Sequence, residues 1–394
     1  GGRDIGNLQV RVNYRFLASV SAGQVQICSA DMVSRLGRGE PIAVAIDTTL
    51  VIRQRFQFGR GLLSVLGQFA ATNIKILIVD VVLREIRAHH LEAIEGAALQ
   101  LRKAVKSSRD LGLLDEMSND ALESFEDMDL TGFSFSAVED YLQSIGAEVL
   151  DSSTLVDLSQ VQDMYFERRP PFEEKKKHEF PDAFALNALE KWSEVNSTDV
   201  LLLTEDKGWV TYSDSSSRLH HGVEVAEALS ATQDADPALL EALATSLRAS
   251  TWELRELIAS DVARLNVEAD GNGYWSIDLT VTGVSLQDVS LEYLRDDDLE
   301  IVSRNAGECV VQCALHCVIG VDASITVHLF DRIDRTSMRV PGGSMHAAKK
   351  VNLNCLIKLV SPSRSEAFRI EAADLIERDL HVDVGEVQVD FSLD

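Results

Sequence analysis

Four acidic residues, Asp47, Glu85, Asp182 and Asp206, follow one another along the chain, each beside a short apolar run. Carboxylates brought together in one crevice cannot all ionise without a cation. Hard divalent ions that take oxygen ligands, Mg2+ or Mn2+, resolve that conflict. Two such ions about 4 Å apart activate a water and stabilise the leaving oxygen of a phosphodiester. In this reading Asp47 and Asp206 hold the central metal, and Glu85 and Asp182 orient or deprotonate the attacking water. All four are candidate catalytic and metal-binding residues, and the chemistry needs no His or Cys.

The elements around these acids are legible. Ala43–Asp47, Lys75–Asp80, Ala147–Asp151 and Val200–Thr204 are rich in Val, Ile and Leu on successive residues, as strands buried on both faces are. Apolar residues at three- and four-residue steps in Gly61–Thr72, Val81–Arg109 and Ala183–Glu194 predict helices between them. This alternation predicts a parallel sheet covered by helices on both sides, a three-layer α/β/α fold. Asp47 and Asp206 then end strands. Glu85 lies about one turn into a helix, and Asp182 begins one beside Pro181. Those are the places where an α/β sheet builds a ligand site.

Further along, Pro237–Asn266 reads as an amphipathic helical stretch. Beyond it, Trp275–Thr282, Val289–Tyr293, Val310–Ile319, Ser324–Phe330, Val351–Val360 and Val387–Phe391 are β-branched, alternating runs. They predict an all-β, sandwich-like C-terminal domain of antiparallel strands. The chain accordingly divides into an N-terminal extension (1–40), the α/β domain (41–230), a helical linker (231–268) and the β-rich domain (269–394). A strand near Leu8–Asn13 is expected in the extension.

At 394 residues, 45% hydrophobic and 25% charged, the chain has the composition of a globular protein of two or three domains. The longest apolar runs, such as Ile76–Leu83, are interrupted by Asp80 and are too short for a membrane span. Five Cys spread thinly over the chain argue against a disulfide framework and for a reducing cytoplasm. With 63 acidic against 37 basic residues the net charge is −26, and both halves carry the excess. A basic nucleic-acid-coating module is excluded. A nucleic-acid function has to come from a local site, with metal ions offsetting the negative charge.

Several neighbours are candidates for substrate contact. Thr48 and Thr204 can bond a carboxylate or a metal-bound water. Arg53 and Arg55 follow the first acid, and Arg84 adjoins Glu85, which it can pair with. Lys175, Lys176 and Lys177 form the densest basic cluster and lead directly into Asp182, placing cations beside a phosphate. Tyr165, Phe166, Phe172 and Trp209 can stack on bases but read as core aromatics. The pairs His89–His90 and His220–His221 read as solvent or capping residues. Cys309, Cys313 and Cys317 fall on one face of a strand and read as buried free thiols.

Four blocks resemble the PIN-domain nucleases: Val44-Ala45-Ile46-Asp47-Thr48-Thr49, Leu83-Arg84-Glu85-Ile86, Glu179-Phe180-Pro181-Asp182-Ala183-Phe184 and Leu203-Thr204-Glu205-Asp206-Lys207-Gly208-Trp209. The third block is similar to a PIN-like subgroup with a β-rich C-terminal region. The resemblance spans roughly residues 40–230. It implies a metal-dependent endonuclease acting most often on single-stranded RNA, in bacterial toxin or phage-defence settings. It leaves two alternatives open: a DNA or flap-type nuclease with the same site, and a non-catalytic scaffold or sensor. A homo-oligomer or a regulatory protein partner is expected to engage the C-terminal domain.

Overall fold

In a computed structural model the described residues are 29–72, 74–113, 128–172, 179–233, 236–272, 276–305, 307–331, 336–361 and 367–389. The expected strand at Leu8–Asn13 and the cluster Lys175, Lys176 and Lys177 lie outside them. So do Trp275, Phe391 and most of the N-terminal extension.

The first half is built on a five-stranded, all-parallel sheet in the order β3-β2-β1-β4-β5. Its strands are β1 (Ile42–Ile46), β2 (Lys75–Val79), β3 (Ala147–Leu150), β4 (Asp199–Leu203) and β5 (Leu219–His220). All five residues of β1 are buried, as are the last four of β2 and of β4. Apolar residues on both faces are what a strand covered on both sides requires. The flanking helices include Thr48–Arg53, Asp80–Asp110, Leu130–Ile145, Phe180–Asn196 and Val225–Ala231.

One difference from the sequence pattern lies in Gly61–Thr72, which forms two short helices, Gly61–Val65 and Gln68–Ala71, rather than one. They meet at Gly67, where an added Cβ would stand 3.2 Å from the Ser144 carbonyl oxygen. The backbone is thus pressed against the neighbouring helix, and a side chain there would have no room.

The second half is an antiparallel sheet in the order β11-β10-β9-β7, with β8 also paired to β9. Two of its strands are very long, β9 (Glu308–Asp331) and β10 (Thr336–Val360). The runs Val310–Ile319 and Ser324–Phe330 are therefore parts of one strand. The reason is parity: Cys309, Val311, Cys313, Leu315, Cys317, Ile319, Val321, Ala323, Ile325 and Val327 are all buried. One face stays inward without a break, so nothing ends the strand at Gly320. The four described Cys residues are buried free thiols. Likewise Val289 and Ser290 close β7 (Ser276–Ser290), and the expected separate strand Val289–Tyr293 is absent.

A smaller parallel pair, β12 (Asp379–Glu386) with β6 (Asn266–Asn272), stands beside the large sheet. The stretch Pro237–Asn266 is two helices, Pro237–Ala249 and Thr251–Val262, with Ser250 capping both at a non-helical ψ of 27°. Their Leu243, Leu247, Leu254, Ile258 and Val262 join the core of the β-rich region. The two halves also pack on each other. Val302 and Leu356, from β8 (Glu300–Asn305) and β10, belong to the core of the parallel sheet. Arg378 Nη2 donates to Gln57 Oε1 at 2.6 Å, and Arg60 reaches Asp374 at 3.4 Å.

Candidate functional site

Strand order decides where a ligand binds. Chain connections leave β1 toward β2 and β3 on one side, and toward β4 and β5 on the other. The crevice outside the carboxyl ends of β1 and β4 is therefore the switch point of the sheet. Asp47 follows β1, and Thr204–Asp206 follow β4.

Asp47 is only 2% exposed. It is the N-cap of helix Thr48–Arg53, and its Oδ1 accepts from the Thr49 and Leu50 amides and from Thr49 Oγ1 at 2.6 Å. Its Oδ2 accepts from Thr204 Oγ1. Burial pushes its pKa up, while these donors pull it back. Thr204 Oγ1 in turn accepts from the Asp206 amide at 2.9 Å. Asp206 is itself the N-cap of helix Lys207–Ser213, accepting from the Gly208 and Trp209 amides at 2.7 and 3.1 Å. Glu85 Oε2 accepts from Thr48 Oγ1 at 3.1 Å, which ties the second helix to the first.

Asp182 lies in the first turn of helix Phe180–Asn196. Its Oδ1 accepts from the indole Nε1 of Trp209 at 2.8 Å. Burial, followed by the charges of Asp206, Glu85 and Glu179, raises its pKa to about 6, with the indole bond opposing. Among the described residues, none of the four carboxylates forms an ion pair with Lys or Arg.

The basic neighbours are arranged differently from the sequence reading. Arg53 pairs with Glu205 at the crevice rim. Arg55 faces Asp379 of the β-rich half at 3.4 Å. Arg84 does not pair with Glu85; it pairs with Asp80, four residues earlier, at 3.2 Å. Asp80 also ends a strand, yet its Oδ1 is taken by the Ser152 amide at 3.0 Å. His90 and His220 are buried rather than solvent-facing. His90 packs against Phe56 and Phe58.

The residue that sequence reasoning left out of the site is Trp209. Its ring is buried as the pattern predicts, at 1% exposure, but its one polar atom is aimed at Asp182. A buried indole needs a hydrogen-bond acceptor, and a Trp three residues past Asp206 was the available signal. Thr49 was also passed over, although an Asp followed two residues later by Thr is an ordinary capping pattern.

The donor set consists of oxygens only, with Asp47 raised by burial and Asp182 raised by burial and then by like charge, and that chemistry fits a hard divalent cation. The four side chains do not meet at a single point: among the described residues no three His, Cys, Asp or Glu side chains form a group able to hold a metal ion.

Residues 44–209 match the family model described as the PIN domain. No curated protein and no solved structure matches the chain. A PIN domain carries nuclease-type activity, which implies a nucleic acid substrate. Among the described residues no helix is long and apolar enough to cross a membrane. With the five-stranded parallel sheet, its acidic switch point and this match, residues 44–209 of the chain are identified as a PIN domain, as in the PIN-domain nucleases.

Proposed function

We propose that the protein is a Mg2+- or Mn2+-dependent endonuclease that cuts single-stranded RNA at the crevice between β1 and β4. The observation that carries the reading is the acidic switch point: Asp47 and Asp206 cap helices beyond the ends of β1 and β4, and Asp182 bonds Trp209 of the Asp206 helix, its carboxyl raised to about 6 by burial and then by the charges of Asp206, Glu85 and Glu179. Perturbed acids cluster at functional sites because catalysis needs groups tuned to their task. Asp47, Asp206, Glu85 and Asp182 would hold the cation, their carboxylates having to draw closer together than they stand here. When bound, it supplies the positive charge that acidifies water and stabilises the leaving oxygen.

The chain's own groups do the rest. Asp182, poised near neutrality, takes a proton from the attacking water or orients it. Thr204 and Thr48 fix the rotamers of Asp47 and Glu85 through their hydroxyls. Trp209 keeps Asp182 turned into the crevice. The preference for RNA, and a role in toxin or phage-defence systems, rest on the motif resemblance. The net charge of −26 predicts weak substrate binding without the cation.

The test is cleavage of single-stranded RNA and DNA with Mg2+, with Mn2+ and with EDTA, using wild type, Asp182→Asn and Asp206→Asn. RNA cleavage that needs the metal and both acids is expected. Cleavage that persists in EDTA overturns the metal dependence. Cleavage of DNA in preference to RNA overturns the substrate. A readout apart from activity is the melting temperature, which Mg2+ raises in wild type and not in Asp206→Asn.

A further inference from the structure

Beside the acidic crevice, five aromatic rings form a continuous column. Phe172 is buried at its base and packs edge-on to Tyr165 and Phe180, with centroids 5.3 and 5.0 Å apart. Tyr165 and Phe180 are stacked at 5.2 Å with planes 29° apart. Phe166 stands edge-on to Tyr165 at 5.4 Å, and Phe184 continues the column from Phe180. The end member Phe166 is open, at 79% exposure, and Phe180 within the column is 39% exposed. An apolar ring left that exposed forgoes the gain of burial, so an uncovered ring at the end of a packed column asks for an occupant.

Its position says which one. Phe180 and Asp182 share the first turn of helix Phe180–Asn196. At the other end of the column, the segment leading into Phe172 lies against the helix capped by Asp206. A Cβ added at Gly208 would stand 3.2 Å from Pro171 Cβ. The column is thus built on the segments that carry Asp182 and that pack against the helix capped by Asp206. Arg168 and Arg169, both exposed, follow Phe166 after the intervening Glu167, with which Arg169 pairs at 2.8 Å, in a chain that is otherwise strongly acidic. Flat rings with cations beside them match a single strand, whose bases stack and whose phosphates seek positive charge.

We infer that Phe166, Tyr165 and Phe180 form a platform on which a base of single-stranded nucleic acid stacks as the strand enters the crevice. This deepens the proposed function and rests on it for the identity of the ligand. Stacking of this kind tolerates any base, because every base presents a π face. It contributes affinity that the acidic surface otherwise opposes.

The experiment uses the full chain with its acids intact and a probe with phosphorothioate linkages, which resist hydrolysis and leave it uncut. Fluorescence anisotropy measures binding of a short labelled single-stranded RNA with Mg2+ present. Phe166→Ala is expected to weaken binding about 5- to 150-fold, and Phe166→Trp to restore it. A matched oligonucleotide lacking bases is expected to bind weakly and to be insensitive to Phe166→Ala, so ring removal and base removal are coupled. Unchanged RNA affinity in Phe166→Ala overturns the platform. So does an equal loss for the base-free probe. A shift in oligomeric state with RNA affinity intact also overturns it, and assigns the rings to a protein interface. If coupled binding is found while wild type cuts no RNA, the platform stands and the nuclease reading fails.

Discussion

Burial, with the charges of Asp206, Glu85 and Glu179 behind it, holds the Asp182 carboxyl near 6, against the pull of the Trp209 indole. A carboxyl whose pKa is higher folded than unfolded binds more protons in the folded state between the two values. It therefore favours folding below the unfolded pKa, and that advantage is lost as pH rises through about 6. Asp182→Asn should accordingly be more stable than wild type at about pH 7.5, by about 3 kcal/mol, and as stable as wild type at about pH 4. Melting curves at the two values check this, and a gain independent of pH contradicts it. Trp209→Phe removes the donor that favours the ionised form, so the acid limb of the cleavage profile should move to higher pH. A profile that keeps its midpoint would mean the indole does not act on Asp182.

At the scale of elements, the caps matter. Asp47 and Asp206 each begin a short helix by accepting backbone amides, and this explains their place in the fold without any chemistry. The two roles separate by substitution. Asp206→Ala should cost about 1 kcal/mol of stability, whereas Asp206→Asn, still a good cap, should cost a few tenths. Both should abolish cleavage if the charge acts in the reaction. Full activity in Asp206→Asn would leave the residue a cap alone. Thr204 links the two elements, since its hydroxyl bonds Asp47 and accepts from the Asp206 amide. Thr204→Val should cost about 1–3 kcal/mol in chemical denaturation, because the Asp206 amide then lacks its partner.

Across the whole molecule, the β-rich half touches the loop that follows the Asp47 helix. Arg378, with its side chain 9% exposed, donates to Gln57 and faces Asp261 at 3.9 Å, while Arg55 faces Asp379. Burial depresses the Arg378 pKa, and Asp261 opposes that shift. Arg378→Ala should destabilise the protein by about 2 kcal/mol, read as a lower melting temperature. It should also open the loop at residues 54–60 to proteolysis. A protease pattern identical to wild type would show that this contact does not join the halves.

The sequence by itself determined the local elements and the addresses of the acids. Residues adjacent in the chain set hydrophobic period and capping, so β1, β4, the helix after Pro181 and the C-terminal β texture were legible, and the PIN resemblance with them. Lone strands such as Val310–Ile319 were drawn too short, because a turn-like Gly320 weighs little against a face that stays buried on both sides of it. The tertiary structure alone decided which partners those acids have. Thr204 meets Asp47 across 157 positions of sequence and Trp209 meets Asp182 across 27, contacts that follow from strand order and helix packing. Arg53 found Glu205 for the same reason, across 152 positions, whereas Arg84 found Asp80 one helical turn away, a pairing the sequence already carried.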